Sequence, residues 1–238
     1  MKWIRSVAIV VAILAISMLA VAGPGTRFGV WGVGTGIQLL QYAAFAGIAA
    51  IALTLLALAV TRPRGKSLGV LVAALALGCM AFGVPWSGYQ KAKQAPPIHD
   101  ISTDTQDPPS FVAVLPLRKD ALNPATYGGD TVAAKQHQGY PDIQSAELTT
   151  SLTQTFARAL QAAKDMEWVI VAADSSAGRI EATATTRWFG FKDDIVVRIR
   201  PNGAGSRLDV RSVSRVGGSD VGTNAARIRA YLARLASS

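Results

Sequence analysis

Three stretches of the chain, Ser6 to Ala22, Ile37 to Val60 and Ser67 to Trp86, run for 17, 24 and 20 residues without an Asp, Glu, Lys or Arg. About 20 apolar residues let a helix cross the hydrocarbon core of a bilayer, where every backbone group must find its partner inside the segment. Each run therefore predicts a transmembrane helix, and any water-facing fold is confined to the remainder. Residues 1–86 hold 6 Lys/Arg and no acidic residue, leaving 18 Lys/Arg and 15 Asp/Glu for residues 87–238. The formal charge of +9 divides as +6 and +3, so the basicity mostly marks loops beside a membrane. Membrane lipids are expected as partners and nucleic acid is not.

Lys2 and Arg5 precede the first run and Arg62, Arg64 and Lys66 crowd the second turn, whereas Arg27 stands alone in the first loop. The positive-inside rule then places the amino terminus and the second turn in the cytoplasm and the carboxy-terminal domain outside. Lys2, Arg5 and an apolar core ending in Ala20-Val21-Ala22 also suit a cleaved signal peptide; the length of the core favours a retained helix, and either reading exports the domain. Gly25, Gly29, Gly32 and Gly36 have a spacing that lets helix backbones approach, the alternative being a flexible or re-entrant external turn. Gly65-Lys66-Ser67 lacks the upstream glycine of a phosphate loop, and the Gly32–Gly36 stretch lacks the strand and spacing of a dinucleotide fingerprint. Cys79, the single cysteine, excludes a disulfide framework and reads as a buried structural thiol.

From Ser87 the character changes. Lys91, Lys93, Pro96 and Pro97 mark residues 87–97 as an extended linker before a domain over residues 98–238. Asp100, Asp104 and Asp107 lack the spacing and distal glutamate of a calcium loop and read as turn caps. Residues 123–141 read as an irregular loop exposing His137. A short strand near Ile143 leads to a helix opened by the capping box Ser151-x-x-Gln154, with Leu152, Phe156, Ala159, Leu160 and Ala163 on one face. Trp168 to Ala172, apolar and β-branched, predicts a central strand. Ile180, Ala182, Ala184 and Thr186 alternate with polar neighbours, Ile195, Val197 and Ile199 alternate with Val196, Arg198 and Arg200, and Pro201-Asn202-Gly203 supplies a tight turn into Leu208–Val216. Thr223 or Asn224 caps a last helix whose apolar stripe is Ile228, Tyr231, Leu232 and Leu235. The sum is an α+β domain, an antiparallel sheet with two helices packed on one face.

The words PPIHDISTDTQDPPSF, NPATYGG, GYPDIQ, EATATTRWFGFKDDIVVRI and SRLDVRSVSRVGGSDVGTNAARIRAYL resemble the bacterial DUF1499 family over Pro96 to Leu235. The resemblance implies a domain behind several membrane helices, hence a bacterial inner membrane with the domain in the periplasm. It brings no activity, cofactor or catalytic residue, and singles out Trp188-Phe189-Gly190-Phe191, Asp193-Asp194 and Ser219-Asp220 as family words.

The residues themselves carry no catalytic or metal signature. The exported domain has no Cys and only His99 and His137, and Asp193 and Asp194, adjacent on a strand, point to opposite faces and cannot form a carboxylate dyad. Neither cofactor nor enzymatic activity is expected. Two features carry binding content. Arg198, Arg200, Arg207, Arg211 and Arg215 alternate along successive strands, suited to bidentate contact with carboxylate or phosphate, or else neutralised by Glu181, Asp193 and Asp209 across the strands. Trp188, Phe189 and Phe191 share one turn beside Lys192, as a core plug or as an exposed wedge for lipid or a partner. The chain is thus expected to be a membrane-anchored, non-enzymatic binding or assembly module with an envelope protein as partner. The alternatives are a domain that handles lipid or an apolar ligand above Ala182, Ala184 and Thr186, and an enzyme with an unrecognised site.

Overall fold

The computed structural model describes residues 2–237 and falls into two units, Met1–Lys91 with Arg187–Gly190, and Ala92–Thr186 with Phe191–Ser238. The three apolar runs form α1 (Lys2–Arg27), α2 (Val33–Thr61) and α3 (Lys66–Gln94), each long and apolar enough to cross a membrane. All three outgrow their charge-free runs, since helical hydrogen bonding does not stop where apolar composition does. α3 reaches Gln94, so most of the expected extended linker is helix.

Apart from Leu19 and Leu71, the buried positions of these helices are small, among them Ala8, Ala12 and Ala15 in α1, Ala43, Gly47 and Ala50 in α2, Ala74, Gly78 and Ala81 in α3. In lipid no hydrophobic gradient drives helices together, and association depends on close backbone approach. Gly47 shows how close: a Cβ there would lie 2.8 Å from Gly78 O and 2.8 Å from Phe82 N. Val10, Leu55 and Val72 turn outward. Cys79 does so too, contrary to the buried thiol expected, because the inner face of α3 is given to Leu71, Ala74, Gly78 and Ala81. The first loop shrinks to residues 28–32, with Gly29 at φ 71° making the turn. Gly25 lies inside α1 under the Trp31 ring and Gly36 inside α2 against Ala22 O, so these glycines serve close approach and not a long flexible loop. At the other end Arg5 donates to Thr61 Oγ1 (2.7 Å) and Thr61 O (3.1 Å), setting its charge on the carboxy terminus of α2.

The second unit is built on β1 (Asp100–Ser102), β2 (Ala146–Leu148), β3 (Val169–Asp174), β4 (Arg179–Thr185), β5 (Lys192–Asn202) and β6 (Gly205–Ser214). The sheet is antiparallel in the order β1-β6-β5-β4-β3, and β2 pairs with β6 along the edge that β1 also uses. Gly203, at φ 55°, makes the β5–β6 turn where Asn-Gly was expected to. β3 is an edge strand and not a central one; Val169 is 66% exposed. The strand expected near Ile143 forms at Ala146, while Ile143 is buried in the core. Residues 123–141 are not wholly irregular: α4 (Gly129–Gly139) lies among them, and its Gln136 accepts from Ser102 N (2.9 Å) and donates to Ser102 O (2.6 Å), satisfying the edge of β1 with a side-chain amide.

Helices α5 (Leu152–Asp165) and α6 (Thr223–Ser237) cover one sheet face, and the Ser151/Gln154 capping box forms as read. α6 is capped by neither Thr223 nor Asn224. Asp220 accepts from Gly222 N and Asn224 N, while the Asn224 side chain turns inward to Ser212, Ser214 and His99 O. Between the layers Ile180, Ile195, Val197, Leu208 and Val210 meet Ala159, Ala163, Ile228 and Tyr231. The Trp168 and Tyr231 rings stack at 4.9 Å, and Tyr231 Oη donates to Ala159 O (2.8 Å). Ala182 and Ala184 are buried in this core, so their small size serves helix packing. Thr186 is not an inward residue; its Oγ1 accepts from Phe191 N (2.9 Å) and its N–H donates to Phe191 O (2.8 Å), closing the β4–β5 connection.

Candidate functional site

Strand alternation that buries Ile180, Ile195 and Leu208 on one face sends Glu181, Thr183, Asp194, Arg198, Arg200, Arg207, Asp209 and Arg211 to the other. Residues 103–127 form an arm over that face, where Phe111 and Val114 join Val196 and Val213 in a small apolar cluster. The ionisable groups beneath the arm are paired, each in a recognisable group. Glu181 accepts from Val112 N and Val114 N (both 3.0 Å) and pairs with Arg179 (3.1 Å). Arg211, 3% exposed, grips both oxygens of Asp100 (2.9 and 2.7 Å) and lies over the rings of Phe111 and Tyr127. It is therefore part of the interior, whereas a basic surface had been expected.

Asp194, wholly buried, is held by Arg118 (2.5 Å), Arg215 (2.8 Å) and the Thr183 hydroxyl (2.7 Å). Burial works against its charge, but the hydrogen bonds from Arg215, Thr183 and Arg118 outweigh it and keep the carboxyl below its ordinary pKa. At the far end Arg198, Arg200 and Arg207 converge on Asp104, Asp107 and Asp209. Asp104 meets all three (3.3, 3.3 and 3.0 Å), and Asp209 takes Arg198 (2.8 Å), Arg200 (3.2 Å), Arg207 (3.1 Å) and Ser145 (2.6 Å). For Asp209, too, burial is overcome, here by Ser145, Arg198 and Arg207, and its pKa is lowered. Three guanidiniums on three carboxylates leave this group without net charge.

Of the acids expected opposite the arginines, Asp209 takes that place; Glu181 turns to Arg179, and Asp193 pairs with Arg227 (2.6 Å) on the helix side. Asp104 and Asp107 come from the arm, 91 positions from Arg198 in the case of Asp107, while Asp100 on β1 serves Arg211 and Asp194 on β5 serves Arg215. Asp104 does cap a turn, through Gln106 N and Asp107 N, and its second oxygen joins the ion group. Nothing in local spacing announces such a partnership.

Beside that group the arm and α4 bound a groove of about 600 Å³ whose walls include Asp104, Thr105, Tyr127, Asp130, His137 and Arg207. His137 is exposed as expected, but on a helix, with Nε2 3.0 Å from Thr105 Oγ1. The Tyr127 hydroxyl is buried without a hydrogen-bond partner; burial, then Asp100, push its pKa to about 12 against the pull of Arg211, so it stays a protonated donor. Arg200 and Arg207 remain 38% and 36% exposed at the side-chain level. Among the described residues no group of three or more His, Cys, Asp or Glu is placed to hold a metal ion.

The aromatic turn does not behave as one block. Phe189 is buried, Phe191 partly buried and Trp188 37% exposed, edge-on to Phe189 at 5.1 Å. Within the first unit the Trp188 ring lies against Gly23, where a Cβ would fall 2.3 Å away, and Arg27 donates to Arg187 O (2.7 Å). Gly190, at φ 72°, supplies the bend. A family model described as a protein of unknown function, DUF1499, matches residues 100–235, more than half of the chain. No curated protein is matched by the sequence.

Proposed function

We propose that this chain, which belongs to the DUF1499 family, is a non-catalytic binding or assembly module anchored in a bacterial inner membrane, its α+β domain outside. The observation that carries the reading is the groove between arm and α4: concave, of the size that small ligands or a peptide segment occupy, and walled by both signs of charge from Asp104, Asp130 and Arg207. The arginines beside it serve as a scaffold. The pairs of Arg198 with Asp104 and Asp107, of Arg118 with Asp194, and the hydrogen bonds of Arg211 to Pro109 O and Ala125 O fasten the arm that forms one wall, so they shape the site while Arg207 reaches into it. A hydroxyl–imidazole pair, Thr105 and His137, stands in the open, where water competes for both groups; recognition suits it better than nucleophilic work. The mixed lining favours a polar segment of an envelope protein over lipid.

A photo-cross-linking residue at Ala133, on the groove wall, tests this in cells producing the full chain. One discrete adduct is expected, lost when Arg207→Glu or His137→Ala is added. An adduct pattern indifferent to both changes, or none at all, contradicts the reading.

A further inference from the structure

One end of the sheet gathers features that the groove does not use. β1 begins there, with Asp100 opposite Val213, and so does β5, with Asp193 opposite Ser214. β4 ends there, since Thr185 pairs with Lys192, so the Arg187–Gly190 connection departs from this same end. The arm's 3₁₀ turn, Leu115–Arg118, is fixed to it as well: Arg215 donates to Leu117 O (2.7 Å), Arg118 meets Asp194, and Asn123 N donates to Arg215 O (3.0 Å). Held this way, Leu115, Leu117 and Leu122 are 46%, 52% and 82% exposed, with Lys119, Asp120 and Lys192 also exposed. The Arg118–Asp194 pair and the Arg215 contact hold this turn at the surface, so the three leucines stand outside the core as exposed apolar side chains.

We infer that this leucine rim rests in the headgroup region of the bilayer that α1–α3 cross. The chain itself argues for that occupant. Between Trp86, the last residue of the apolar run, and β1 stand about 12 Å of helix over residues 87–94 and then residues 95–99, at most about 18 Å even if fully extended, and β1 begins at the end of the sheet that carries the rim. Exposed leucines with Lys119 and Lys192 outnumbering Asp120 suit a lipid interface, where apolar side chains enter the acyl boundary and ammonium groups stay among phosphates. The inference rests on the membrane tether of the proposed function, and on neither the groove nor the side of the membrane.

The full-length protein with Cys79→Ala and a single cysteine at Leu117, Leu122 or Ala204 carries an environment-sensitive dye in nanodiscs of phosphatidylcholine and phosphatidylglycerol. Ala204, exposed in the β5–β6 turn, reports the opposite end of the sheet. A nitroxide on the lipid headgroup should quench the dye and blue-shift should accompany it at 117 and 122, with neither effect at 204. Equal behaviour at all three sites, or no quenching at 117 and 122, overturns the inference; the second result is also what a rim reserved for a protein partner would give. Leu122, the most exposed of the three, keeps the test usable if Leu117→Cys does not fold. Failure here leaves the groove's cross-linking outcome untouched, so the two proposals fail separately.

Discussion

Arg211 and Arg200 sit on the same sheet face and differ in what their loss should do. Arg211→Met strands the Asp100 carboxylate, whose side chain is 4% exposed, and breaking a buried pair from one side costs about 3–5 kcal/mol. Arg200 is 38% exposed and one of three cations in its group, so Arg200→Ala should cost no more than about 1 kcal/mol. Thermal melts of the detergent-solubilised protein separate the two, and equal losses would contradict the division into buried scaffold and open edge. The acids set a pH dependence of definite sign. Asp194 and Asp209 have folded-state pKa values below the ordinary 3.8, so their contribution is complete above that value and is lost as pH falls through the lower folded ones. Asp220 has the opposite sign: burial raises its pKa, so it costs stability as pH rises past 3.8 and returns it on acidification, softening the onset. Acid melts should therefore steepen below about pH 4, and Asp209→Asn, already destabilised at neutral pH, should show a shallower fall.

Gly47 makes the corresponding case for an element. Its α-carbon faces Gly78 O and Phe82 N, backbone atoms that cannot swing aside, so Gly47→Val should push α2 from α3 and cost about 1–3 kcal/mol, read as a lower melting temperature in detergent. An unchanged melt would mean that α2 and α3 do not meet there. Elements whose signal is local were legible in the sequence: the Ser151 box, the alternation of β4 to β6, the charge-free runs. Those settled by distant partners were not. Trp168 to Ala172 has the composition of a central strand, yet no residue within it says that only β4 will pair with it. α4 is a polar helix without an apolar stripe, recruited through Gln136 to finish the edge of β1. The arm's acids looked like turn caps because their guanidinium partners lie on β5 and β6, on the far side of the chain.

For the whole molecule, the split of charge at Trp86 already separates a membrane part from a water-facing one, and the structure moves the end of the helix only to Gln94. The groove was invisible beforehand, since its walls come from a stretch read as capped turns and another read as an irregular loop. The proposed function has the domain standing outside the cell membrane on an anchor of three spans. Alkaline phosphatase folds into an active enzyme only after export, so fusions report the side directly. Fused after Ser238 it should be active and fused after Lys66 inactive; activity at Lys66 with none at Ser238 would contradict that placement of the domain.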